Sequence, residues 1–127
     1  MESPIKQIVL SQTAKDQLIR LKRPTKIQNW NVFCRWAFVL SLNESTPPTP
    51  VPVPADSNVE MTWKVFGGEY ADIYLLALKQ RMYNDKLPIN EDSIQKQFRL
   101  HLHRGIGCLA SERIKNIKDL LDISLKE

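Results

Sequence analysis

The sequence predicts a mainly α, single-domain helical bundle of about five helices with one or two short β-strands. Three observations carry that prediction. Apolar residues recur at helical spacing in separate stretches, as in Ala14, Leu18 and Leu21, or Ile94, Phe98 and Leu102. Period-two alternation is confined to Val59, Met61, Trp63 and Val65, beside one short β-favouring run at residues 5–10. The chain has 127 residues, 43% hydrophobic and 25% charged, which suits one domain. A chain of this length buries roughly two-thirds of its unfolded surface and needs no covalent staple.

The first helix starts at Ser11 or Thr13, either of which can accept from an orphan N-terminal amide; Asp16 stands three residues after Thr13, close to a capping box. Pro24 is expected to stop it. Lys15, Arg20, Lys22, Arg23 and Lys26 put five cations in twelve residues against one acid, Asp16. Such a run reads as a solvated face or as a binding patch. Residues 25–43 predict a second helix capped by Thr25, with Ile27, Trp30, Phe33, Cys34, Ala37 and Phe38 around most of its circumference. A helix apolar on nearly all sides belongs in a core or a subunit interface. One small chain would struggle to bury it alone, so Trp30, Phe33 and Phe38 are expected at an oligomer interface. Arg35 within it is expected to pair with a carboxylate or to lie at the edge of the interface.

Five prolines, at 47, 48, 50, 52 and 54, make residues 44–58 a proline-rich surface loop of polyproline II character. It separates two halves of one fold, since neither half has a full core. A strand follows at 59–65 and ends at Phe66-Gly67-Gly68, where a helix from Glu69 to about Asn84 begins. The Gly-Gly pair lacks the Lys-Ser/Thr of a phosphate loop. After Leu87-Pro88, Asn90 caps a helix running to Arg104, with Ile89 and Ile94 at staple positions and Gly105 as the C′ stop. Ile114, Ile117 and Leu121 mark a last helix over 111–124.

No catalytic constellation stands out. His101 and His103 are two apart, so on a helix they point about 200° from each other and do not chelate one ion. Cys34 and Cys108 form no C-x-x-C and read as reduced thiols. No metal and no cofactor is expected. The opening MESPIKQ is polar, and the most apolar run, 32–42, is broken by Arg35 and too short for a bilayer, which takes roughly 20 residues. A cytoplasmic protein without membrane contact is the expectation.

Charge is the stronger signal. The net charge of +4 favours anionic partners. Lys15, Arg20, Lys22, Arg23 and Lys26 form one basic group; Lys96, Arg99, Arg104, Arg113, Lys115 and Lys118 form another. From these, Lys15, Arg20, Lys22, Arg23, Lys26, Arg99, Arg104, Lys115 and Lys118 are the candidate contacts to a phosphate backbone. The strand-helix-helix order is also analogous in pattern to ribbon-helix-helix DNA binders.

Two motifs, FGGEYADIYLLALKQR (Phe66 to Arg81) and FRLHLHRGIGCLA (Phe98 to Ala110), make the chain resemble the DndE family, the E component of bacterial Dnd systems. Those systems place sulfur in the DNA backbone as a phosphorothioate. The resemblance extends to the basic first helix and aromatic second helix, and so to most of the chain; the proline loop is least expected to match. It implies a small helical protein spanning residues 1–127, assembling as a homo-oligomer with a tetramer the expected state. It implies binding to duplex DNA, nicked duplex included, through surface lysines. It implies work beside the other Dnd modification proteins, which carry the sulfur and ATP chemistry, so that this chain is not itself an enzyme. The alternatives are a scaffold that assembles those proteins without touching DNA, and a nickase using the two histidines.

Overall fold

The structure, a computed structural model, describes residues 3–111. The elements run β1 (Gln7–Val9), α1 (Gln12–Thr25), α2 (Trp30–Asn43), β2 (Glu60–Thr62), α3 (Trp63–Gly67), a 3-10 turn (Gly68–Tyr70), α4 (Ala71–Asn84) and α5 (Glu91–Ser111). The mainly helical class holds, with four long helices among the described residues where about five were expected. The last expected helix, over 111–124, lies outside them but for its first residue, Ser111, which belongs to α5.

Helix α5 is the axis of the molecule. It packs most extensively on α2, and also on α1 and α4. Its stripe of Ile94, Phe98, Leu102 and Ile106 is buried as the spacing predicted. Around it lies an aromatic cluster: Phe98 is 5.1 Å from Phe38 and 5.2 Å from Phe66, ring centre to ring centre, and Trp63 stacks on Phe66 at 5.2 Å. Tilted and edge-on pairs of this kind add to simple burial. The contributing rings come from both sides of the proline loop, and buried residues before and after it pack into one cluster.

Several boundaries differ from expectation, each for a physical reason. Ser11 is the cap of α1, its Oγ accepting from the Ala14 amide at 3.1 Å. Pro24 does not stop the helix. Its fixed φ is a helical value, and α1 runs on to Thr25 before Lys26 turns left-handed at φ 60°. Thr25 does not cap α2; its hydroxyl donates back to the Leu21 carbonyl at 2.6 Å and accepts from the Ile27 amide at 3.3 Å. Helix α2 accordingly begins only at Trp30.

Both expected strands form, as an antiparallel pair in the register Gln7 with Thr62, Ile8 with Met61 and Val9 with Glu60. The second is shorter than its alternation suggested. Thr62 Oγ1 accepts from the Val65 amide at 3.1 Å and starts α3, which turns Trp63 and Phe66 inward and leaves Val65 exposed. Gly105 is likewise no helix stop. It sits mid-helix where α5 crosses α2, and a Cβ there would overlap the Ala37 backbone. Glycine at this site lets two backbones touch.

The aromatic face of α2 is a correction as well. Phe33 and Phe38 are both at 0% exposure inside the chain, so neither offers surface to an oligomer partner; Trp30 is half-buried. A chain this small does enclose such a helix, because α5, α3 and α4 cover it. Arg35 donates to the Phe66 carbonyl at 2.9 Å rather than pairing with a carboxylate.

Candidate nucleic-acid interface

The basic run of α1 becomes a shaped surface at the C-terminal end of that helix. Ala14, Leu18, Leu21 and Thr25 face the core. That orientation fixes the rest: Arg20, Arg23 and Lys26 are exposed, and Lys15 and Lys22, seven apart, flank the buried stripe half-covered. Lys15 Nζ donates to Asn58 Oδ1 at 2.6 Å, so it is tied to the far end of the proline loop. Lys22 Nζ lies 3.7 Å from the centre of the Trp30 ring, a cation–π contact that holds the ammonium in place without neutralising it. The left-handed turn at Lys26 places a third exposed cation beside Arg23, where the negative end of the helix dipole favours positive charge. Sequence reading found these five residues but not Trp30 as the platform under Lys22. Only the turn over residues 26–29 brings that ring back.

Arg99 and Arg104 of the second group do not join them. Arg99 Nη1 donates to the Val9 carbonyl at 2.6 Å, while Nη2 reaches Val53 O at 3.2 Å and Pro54 O at 3.0 Å. Arg104 donates to Ser41 Oγ at 2.8 Å, Ser41 O at 2.7 Å and Thr46 O at 2.6 Å. Burial pulls both guanidinium pKa values below the ordinary arginine range, and Arg81 adds repulsion at Arg104. These side chains bind the proline loop to α5 and α2. Arg81 does the same, donating to Leu42 O at 2.8 Å, Thr46 O at 2.8 Å and the Glu44 carbonyl, with Asp85 at 2.9 Å as its ion-pair partner. Sequence reading missed Arg81 as a connector, since its partners lie 35 to 39 residues away. Lys115 and Lys118 lie outside the described residues.

The histidines sit on different sides of α5, as the spacing required. His101 is fully buried with Nδ1 2.9 Å from Ser41 Oγ, and its Nε2 has no partner. His103 Nε2 accepts from the Ser11 amide at 3.1 Å, which leaves the proton on Nδ1, donated to Arg99 O at 2.9 Å. Burial first, then nearby arginines, push His101 down to about 4; burial also brings His103 to about 4. Both are neutral structural groups near neutral pH. Burial pushes the Cys34 thiol up to about 12, far from a reactive thiolate. Among the described residues no cluster of His, Cys, Asp and Glu is grouped to hold a metal ion, and no helix is long and apolar enough to cross a membrane.

A family model described as DNA sulphur modification protein DndE matches residues 7–117. The chain belongs to the DndE family. Its place is therefore among the proteins of the DNA phosphorothioation system. Two solved DndE structures share the fold. The crystal structure of DndE from Escherichia coli B7A, involved in DNA phosphorothioation modification, superposes with a TM-score of 0.69 at 24% identity, covering 86% of this chain and 99% of that one. A DndE variant with glycines changed to lysine, also involved in DNA phosphorothioation, gives a TM-score of 0.63 at 21% identity, covering 81% of this chain and 96% of the other. No curated protein sequence matches.

Proposed function

We propose that this DndE-family protein is a non-catalytic DNA-binding subunit of the phosphorothioation machinery. It contacts the duplex backbone, nicked duplex included, through the C-terminal end of α1, acts as a homo-oligomer, and works beside the other Dnd proteins. One observation supports the reading above the others: Arg20, Arg23 and Lys26 stand exposed together at the end of one helix, with Lys22 held beside them on Trp30. Clustered cations of this kind displace condensed counterions from DNA and add affinity without reading bases. Arg99 and Arg104 leave the contact set, because backbone carbonyls already occupy their donors.

The test is a titration of labelled intact and nicked duplexes against the protein and its Arg20→Glu/Arg23→Glu/Lys26→Glu variant across a salt series. Affinity should fall steeply between about 50 and 200 mM salt, and the variant should lose about three phosphate contacts' worth of log–log slope. Unchanged affinity in a folded variant would remove α1 as the contact. The scaffold reading draws on one observation of its own: Pro50 to Pro52 stand exposed while arginines hold both ends of their loop. A well-folded oligomer without DNA affinity would select it.

A further inference from the structure

The basic patch of α1 has an apolar centre. Ile19 is 48% exposed, the one large apolar side chain on that helix left open to solvent. One turn away stand Lys15 and Asp16 on its N-terminal side and Lys22 and Arg23 on its C-terminal side. Positions three and four apart on a helix lie about 5–6 Å from each other. Three cations therefore adjoin one isoleucine. Stability gives little reason for isoleucine here. Leu18 and Leu21 do the burying, and at an exposed helical site a straight-chain residue is the better helix former. A β-branched side chain on a helix is also held largely to one χ1 rotamer. Ile19 is thus a short, stiff apolar projection set among long charged arms.

That combination has a use on DNA. Cations can hold the phosphates while an apolar side chain between them enters a base step and replaces the lost stacking contact. An intact stack resists, because unstacking costs free energy. The cost is least at a step that is already loose, beside a mismatch or damaged base, and a cut backbone loosens a step in the same way. Shape adds to this. An α-helix is about 10–12 Å across, whereas the minor groove of intact B-DNA is about 6 Å wide. Helix α1 therefore brings Ile19 to base faces only where the duplex hinges open.

We propose that Ile19 is a specificity-determining wedge, which enters an unstacked base step and lets the protein tell an interrupted duplex from an intact one. The inference rests on the DNA-binding reading of α1. Lys22 and Arg23 seat the wedge on the phosphates, since Lys15 is tied to Asn58. Asp16, which accepts from Gln12 Nε2 at 3.0 Å, is the one acid beside Ile19 and repels phosphate. The DNA strand accordingly runs past Ile19 on its C-terminal side.

The test compares the full chain with Ile19→Ala and Ile19→Leu on three duplexes of one sequence: intact, nicked, and carrying a single mismatch. The fluorescent base 2-aminopurine sits beside the interruption. Surface changes of this kind leave the fold standing, which circular dichroism checks. The unchanged protein should bind both interrupted duplexes roughly tenfold more tightly than the intact one, and 2-aminopurine emission should rise as its stack opens. Ile19→Ala should remove the preference and leave the emission flat while the salt slope persists, because the cations remain. Ile19→Leu should keep both signals. Equal affinity for all three duplexes, or a preference that survives Ile19→Ala, would overturn the wedge and leave backbone binding standing. So would a preference lost when uracil replaces thymine, which would place Ile19 against thymine methyls in the major groove. Failure to bind any duplex would remove the wedge and the DNA-binding reading together.

Discussion

At the scale of single residues, the same side-chain type serves opposite ends. Arg20 and Arg23 stand in solvent, whereas Arg81, Arg99 and Arg104 collect backbone carbonyls from a loop that has few amides to pair with them. Removing such a connector strands its acceptors. Arg81→Met should cost on the order of 2–3 kcal/mol, read as a lower urea midpoint, and should open the loop to proteolysis near Thr46. The glycines of α5 give a sharper contrast. Gly105→Ala would drive a methyl into the Ala37 backbone and should cost more than ~3 kcal/mol, whereas Gly107, with open space around it, should tolerate alanine or gain about 0.5–1 kcal/mol from helix propensity. The buried histidines set an acid limit. Unfolded, they titrate near 6.5; folded, at about 4. Between those values the unfolded chain binds more protons, so stability is full above pH 6.5 and falls as pH drops toward 4. The unfolding free energy from urea titrations should decline over that window by about 2 kcal/mol or more, and a flat profile would count against buried neutral imidazoles. Little of this was legible in the sequence, where Gly105 looked like a helix stop and Arg99 and Arg104 like surface charge; the spacing of His101 and His103 showed only that they lie on different sides of the helix. Contacts between residues 35 or more positions apart decide each case.

Elements were far easier to read than their ends. Helical periodicity located α1, α2, α4 and α5, and alternation located β2, because each pattern repeats along the element and survives an error at its edge. The ends depend on one or two side chains. Thr62 is the clearest case: Met61, Trp63 and Val65 alternate like a strand, yet Trp63 and Phe66 also fit an i, i+3 helical pair, and the threonine cap decides between them. Thr62→Ala should cost about 1 kcal/mol, seen in chemical denaturation. The basic cluster of α1 was legible for the same reason as the helix that carries it. Its second member, on α5, was not, since a helical wheel does not show which arginines fold back onto the chain.

For the molecule as a whole, stability and the proposed DNA contact rest on different cations. Arg99 ties β1, the proline loop and α5 together, 90 residues from Val9. Arg99→Ala should lower the thermal midpoint by several degrees while leaving the salt dependence of DNA binding intact below that temperature. Arg20→Glu should do the reverse. Paired melting and binding curves would separate the two roles.

The ammonium of Lys22 above Trp30 has a use beyond affinity. An indole beneath a cation emits according to where that cation is. Trp63, the most deeply set of the three tryptophans, is screened from solvent by the aromatic cluster. A polyanion that draws Lys22 off the ring therefore changes the intrinsic fluorescence of Trp30 without any attached dye. Trp30→Phe should silence that signal, which gives the protein a built-in optical gauge of what touches its first helix.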